Sequence, residues 1–118
     1  MKLLVCGGRD YNDEQHVRAW IGWAKNAMFV SEVIHGGARG ADNLAGKVAE
    51  SLGIPTRVFR ADWDTHGRAA GMIRNRKMLE EGKPHFVMAF PGGVGTEGMI
   101  KIARDGGVTV IVVAGWTK

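Results

Sequence analysis

Apolar and polar positions along the chain alternate between two rhythms. Leu3-Leu4-Val5-Cys6 is a short continuous apolar run and predicts a first strand over Lys2 to Cys6. Val17, Trp20, Ile21, Ala24 and Met28 then recur at spacings of three and four, which is one face of a helix. Asn12-Asp13-Glu14 before it supplies a cap and acids for the first turn, and Trp23 falls off the apolar face. A second strand is predicted over Glu32 to His35. A helix with Ala41, Leu44, Ala45, Val48 and Leu52 on one face follows, closed by Gly53 and Pro55. Thr56 to Phe59 reads as a third strand, Arg60 to Gly67 as a polar, aromatic loop, and Ala69 to Glu81 as a helix stopped by Gly82-Lys83-Pro84. Phe86 to Ala89 is a fourth strand, followed by a helix through Met99 to Arg104 that ends at Gly106-Gly107. Val108 to Val113 is nearly all apolar, which suits a parallel strand buried on both faces. Strand and helix alternate four times before a final strand. This predicts an α/β fold, a Rossmann-like three-layer sandwich with a parallel sheet of about five strands and the first strand central.

Composition narrows the class. A chain of 118 residues with 45% hydrophobic positions can bury a core as one domain, residues 1–118. The 18 glycines against 3 prolines suit tight loops between regular elements. One cysteine excludes an internal disulfide framework, and Cys6 at a strand end reads as a buried thiol. The first apolar run is too short for a signal peptide, and no run is long enough to span a membrane, so a cytoplasmic protein with no membrane partner is expected. A net charge of +4, from 16 basic and 12 acidic residues, favours anionic ligands modestly.

The chemistry concentrates in three strand ends that open into glycine loops: Gly7-Gly8-Arg9-Asp10, Gly36-Gly37-Ala38-Arg39-Gly40-Ala41-Asp42 and Pro91-Gly92-Gly93-Val94-Gly95-Thr96. Glycine lets the backbone approach a ligand closely, and a following helix turns unpaired N–H groups and a positive dipole end toward it. Ligands of open α/β sheets sit beyond the carboxyl ends of the strands, so the three loops would share one pocket. Candidate nucleotide-binding residues are Gly7, Gly8, Arg9, Gly36, Gly37, Arg39, Gly40, Asp42, Pro91, Gly92, Gly93, Gly95 and Thr96. Neither the dinucleotide Gly-x-Gly-x-x-Gly spacing nor a Walker loop is present.

These loops, together with Gly67-Arg68-Ala69-Ala70-Gly71-Met72-Ile73-Arg74-Asn75-Arg76-Lys77-Met78, resemble the SLOG superfamily over nearly the whole chain. The resemblance is to its small stand-alone YspA- and YpsA-related domains, which occur in bacteria and their phages. It implies a Rossmann-like, often dimeric domain for nucleotides or nucleotide-derived signals. Pro91-Gly92-Gly93-Val94-Gly95-Thr96 is also similar to the phosphate loop of LOG phosphoribohydrolases, which cleave the base from a ribose 5′-monophosphate. Their Arg-Lys pair matches Arg76-Lys77. Their signature Glu, three residues after the Thr, is Met99 here, and Glu97 is the nearest substitute. Glycoside cleavage needs a carboxylate beside the ribose, so the departure bears on activity.

The remaining candidates have alternatives. Arg39 is placed to grip phosphate or to pair with Asp42, and Asp42 to bind a ribose hydroxyl or cap its helix. Arg76 is expected to face the pocket from the third long helix. His35 beside Gly36 is a candidate general acid or base, while His16 and His85 read as surface residues. Asp62-Trp63-Asp64-Thr65-His66 could be a structural loop, a substrate lid or a metal site, with Trp63 stacking a base or covering the sheet edge. Neither metal nor cofactor is expected. The leading reading is binding of a phosphate-bearing nucleotide or nucleotide-derived signal. The alternatives are a nucleoside 5′-monophosphate N-glycosidase, with Arg76, Glu97 and His35 as its catalytic candidates, and a single-stranded nucleic-acid module. Trp20 and Trp23 cannot both face one sheet beside Ile21, which leaves one of them, or Trp116, for a homodimer contact.

Overall fold

The computed structural model describes residues 1–114; Trp116 lies outside them. The elements are β1 (Lys2–Cys6), α1 (Glu14–Ala27), β2 (Glu32–His35), α2 (Ala41–Ser51), β3 (Thr56–Val58), α3 (Trp63–His66), a 3₁₀ turn (Gly67–Ala69), α4 (Ala70–Gly82), β4 (Phe86–Ala89), α5 (Val94–Asp105) and β5 (Thr109–Val112). The sheet has the order β3-β2-β1-β4-β5 and is parallel throughout. β1 is central, as the alternation of strand and helix implies.

Period-two alternation along β1 divides the core. Leu3 and Val5 point into one cluster with Val17, Ile21 and Ala24 of α1 and Ala45, Val48 and Ala49 of α2. Leu4 and Cys6 point into the other with Met78 of α4 and Met99 and Ala103 of α5. Helices therefore cover both faces, and each strand near the centre must be apolar at every position. The side chain of Asp13 caps α1 by accepting from His16 N at 3.0 Å. Gly53, at φ +73°, turns the chain out of α2.

Two local expectations need correction. The segment read as a loop from Arg60 to Gly67 contains the one-turn α3, because Asp62 accepts from Thr65 N at 3.1 Å and starts a helix that Gly67 stops at φ +56°. The run Val108 to Val113 is not fully enclosed: β5 is an edge strand, paired with β4 alone, and Thr109 and Val112 are exposed.

Candidate functional site

The strand order reverses between β1 and β4, where consecutive loops leave the sheet in opposite directions and open a crevice. A cleft of about 520 Å³ lies there. Its floor holds Cys6, Met78 and Met99, its walls carry Asp42, Arg74 and Asn75, and Arg9, Trp63 and Arg68 reach it from the mouth. The first turn of α5 (Gly93, Val94, Gly95, Thr96) forms one side. No side chain caps α5. Its leading N–H groups and dipole end are thus available to an anion.

The glycines divide into two groups. Gly7, Gly8, Gly36, Gly40 and Gly92 are needed because protein fills the space where a Cβ would stand. A Cβ at Gly7 or Gly40 would strike Ala41 or the Gly8-Arg9 backbone, and at Gly92 the Thr96 side chain and Gly8. Gly8 N donates to Pro91 O at 2.8 Å, and Ala41 N donates to Gly8 O at 3.1 Å. The β1 loop is therefore clamped between the β4 loop and α2, and spends its polar backbone on them. Gly37, at φ +71°, lies against Val58 and Arg60. Only Gly93 and Gly95 of the candidate set have open space where a Cβ would project.

A string of hydrogen bonds spans the cleft wall. Asp42 Oδ2 accepts from Gly36 N at 3.1 Å and Ala38 N at 3.3 Å, so this side chain ties down the β2 loop rather than capping α2. Arg74 Nη1 donates to Gly36 O at 2.8 Å, and Arg74 Nε donates to Asn75 Oδ1 at 3.0 Å. Asn75 Nδ2 makes a long contact to Gly95 O at 3.4 Å, reaching α5. Any side chain at Gly36 would run into both the Arg74 guanidinium and the Asp42 carboxylate.

Burial pushes the Asp42 carboxyl up to about 6, against the Ala38 and Gly36 N–H groups and the charges of Arg74 and Arg9. Burial likewise draws the Arg74 guanidinium down, with Asp42 opposing. Burial pushes the Cys6 thiol up to about 12, so it stays protonated and unreactive at the cleft floor.

Several candidates stand elsewhere. Arg39 pairs with Asp10 at 3.2 Å on the surface, not with Asp42. Arg76 is exposed on α4 outside the cleft, and Arg74 occupies the position facing it. Glu97 points from α5 into a separate shallow hollow with Lys101 and Arg104. His35 is buried but turned to α2: its Nδ1 accepts from Gly37 N at 3.0 Å, its other ring nitrogen abuts Gly46, and burial lowers its pKa. Asp62 is committed to capping α3. Trp63 sits at the cleft mouth, with Arg9 over its ring at 5.3 Å from the centroid, and does not cover a sheet edge. Arg68, Arg74 and Asn75 are cleft residues absent from the candidate set. The signal for the last two was the spacing Gly71, Arg74, Asn75, Met78, which shares a helix face with the buried Met78.

The profile of the family described as YAcAr (YspA, cpYpsA-related SLOG family) matches residues 1–66, from β1 through α3. The "Gene 61 protein" of Mycobacterium phage D29 is 35% identical over 120 aligned positions, which cover 93% of this chain and 94% of that protein. No solved structure matches. With the profile covering more than half of the residues and a full-length relative beside it, the chain belongs to the YspA, cpYpsA-related SLOG family.

Proposed function

We propose that the cleft binds a phosphate-bearing nucleotide or nucleotide-derived signal. One observation carries this reading. The uncapped first turn of α5 opens onto a cleft whose charged lining, among the described residues, is Arg9, Arg68 and Arg74 against the carboxylate of Asp42. The phosphate sits on the N–H groups of Gly93 to Thr96, where no Cβ at Gly93 or Gly95 obstructs it. Membership of the SLOG family supports a nucleotide-related role.

Binding without glycosidic cleavage is the better supported form. The LOG-type carboxylate position is Met99, fully buried at the cleft floor, and Glu97 lies outside the cleft. Calorimetry and thermal shift with a panel of nucleoside mono- and diphosphates, cyclic nucleotides and ADP-ribose test the reading. Saturating ligand is expected to stabilise the fold by about 2–4 kcal/mol. No shift across the panel overturns it, and release of free base from a monophosphate overturns the non-catalytic form.

A further inference from the structure

Asp42 lines the cleft with one of its two carboxylate oxygens uncommitted. Its residue is 6% exposed, and both hydrogen bonds it accepts fall on Oδ2. Oδ1 has no partner among the described residues. The ion pairs of the described residues join Glu14 to Arg18 and Lys47, Asp10 to Arg39, and Lys101 to Asp105, so Asp42 belongs to none of them. Arg74 is in the complementary position. Nη1 and Nε are used by Gly36 O and Asn75 Oδ1, and Nη2 has no hydrogen-bond partner among the described residues. The two side chains grip opposite ends of the same residue, Gly36, by its N–H and its carbonyl. They are thereby held at a fixed offset, each favouring the other's charge without closing into an ion pair. Oδ1 is not sealed away, since the buried unpartnered side-chain oxygen among the described residues is Glu32 Oε1, and it stands as an acceptor open to a donor that enters the cleft.

The charges decide what that donor is. A metal ion is disfavoured, because among the described residues Asp42 is the one carboxylate lining the cleft and the charges of Arg74 and Arg9 act on it. A phosphate dianion beside Asp42 is repelled, and it has the carboxylate-free end of α5 to occupy instead. A neutral group that both donates and accepts fits both prongs. A vicinal diol does this: one hydroxyl donates to Asp42 Oδ1 while its neighbour accepts from Arg74 Nη2.

We propose that Asp42 and Arg74 form a ribose-diol subsite that makes the cleft selective for ribonucleotides over 2′-deoxyribonucleotides. The inference rests on the nucleotide reading and names the sugar it requires. It places the two recognition elements on different parts of the fold, phosphate on α5 and sugar on the Gly36 clamp. Removing the 2′-hydroxyl leaves the carboxylate unpartnered in the complex, and sites built around a substrate hydroxyl discriminate strongly against analogues that lack it.

The test is calorimetric titration of the wild-type chain with the four ribonucleoside 5′-monophosphates and their 2′-deoxy counterparts. Each base that binds is expected to bind at least about tenfold more weakly in the deoxy form. Asp42→Asn keeps an oxygen for Gly36 and Ala38 but turns an amide toward the cleft. It is expected to reduce the ribo-to-deoxy ratio to below about threefold while deoxynucleotide affinity is retained. The wild-type comparison needs no variant to fold. Equal affinity for ribo and deoxy forms overturns the subsite and leaves nucleotide binding standing. Absence of binding by all eight compounds overturns the subsite and the monophosphate form of the nucleotide reading together.

Discussion

At the scale of single residues, the glycine loops separate positions that build the cleft from positions that use it. Gly40 has φ +81° and sits against the Gly8 carbonyl, so Gly40→Ala meets both backbone strain and a collision. It should cost at least about 2 kcal/mol in denaturant unfolding. Gly95 is helical with open space beside it, and an acid in the first turn of a helix complements its dipole. Gly95→Asp should therefore leave the midpoint within about 0.5 kcal/mol of wild type while weakening anion binding by more than about tenfold. Unimpaired nucleotide affinity in this variant would remove α5 from the phosphate site. Asp42 gives a second prediction. Its carboxyl titrates at about 6 in the fold against 3.8 ordinarily, so between these values the folded chain holds a proton that the unfolded chain has released. Its contribution to stability thus falls as pH rises from about 4 to 6 and is level above, by about 3 kcal/mol in order of magnitude. His35 acts with the opposite sign, because its lowered value withdraws stability as pH falls below 6.5. The pH dependence should therefore be read as a difference. The stability of Asp42→Asn relative to wild type is expected to rise between pH 4 and pH 7, and a flat difference refutes the buried-acid assignment.

At the scale of elements, the long helices and central strands were legible because each buries one stripe or two faces, and burial writes a period into the sequence. α1 is the clearest case: Val17, Ile21 and Ala24 are all fully buried, and Asp13 caps it as its position suggested. The short elements were not legible. α3 has no buried residue, so no apolar period marks it, and only the Asp62 cap holds its turn. The same absence hid half of the cleft. α4 buries only Ala70, Asn75, Met78 and Gly82, too short a stripe to fix its register from sequence, and Arg74 rather than the expected Arg76 shares the cleft face with Met78. The glycine loops were legible as loops, but sequence does not reveal whether a glycine yields space to a ligand or to another loop. For Gly7, Gly8, Gly36 and Gly92 it yields space to the protein itself. The exposed position of Trp63 carries a prediction of its own. The ring is 48% exposed at the cleft mouth and contributes nothing to either core cluster. Trp63→Ala should change stability by less than about 0.5 kcal/mol. It should weaken a nucleoside monophosphate by about 1–3 kcal/mol through loss of base stacking and leave ribose 5-phosphate unaffected. Equal losses for both ligands would show that Trp63 touches the phosphate or sugar and not the base.

At the scale of the whole molecule, the parallel sheet leaves two edges that differ in character. β3 carries Arg57, whose guanidinium lies 4.8 Å from the Phe59 ring centroid, and a charged edge discourages further pairing. β5, Thr109–Val112, has no charge, and Val112 is 54% exposed. Arg18 donates to Ser51 Oγ at 2.7 Å and Lys25 to Leu52 O at 2.8 Å, so one flank of α1 faces α2. Trp20 and Trp23 occupy the opposite flank, edge-to-face at 5.7 Å, and His16 beside them reaches Phe90 at the end of β4. The exposed Trp23, at 45%, with Trp20 beside it, makes an aromatic flank whose composition suits association with a second copy across a two-fold axis. Light scattering at micromolar concentration is expected to give a mass near twice the 12.8 kDa of one chain. Trp23→Glu, on the exposed flank and away from the buried stripe of Val17, Ile21 and Ala24, should return a folded monomer with an unchanged helical spectrum. The described residues lining the cleft include none from α1, so the monomeric variant should keep its nucleotide affinity within about twofold. A wild-type mass near that of one chain would refute the dimer. Affinity lost together with assembly would instead mean that the second copy contributes to the cleft.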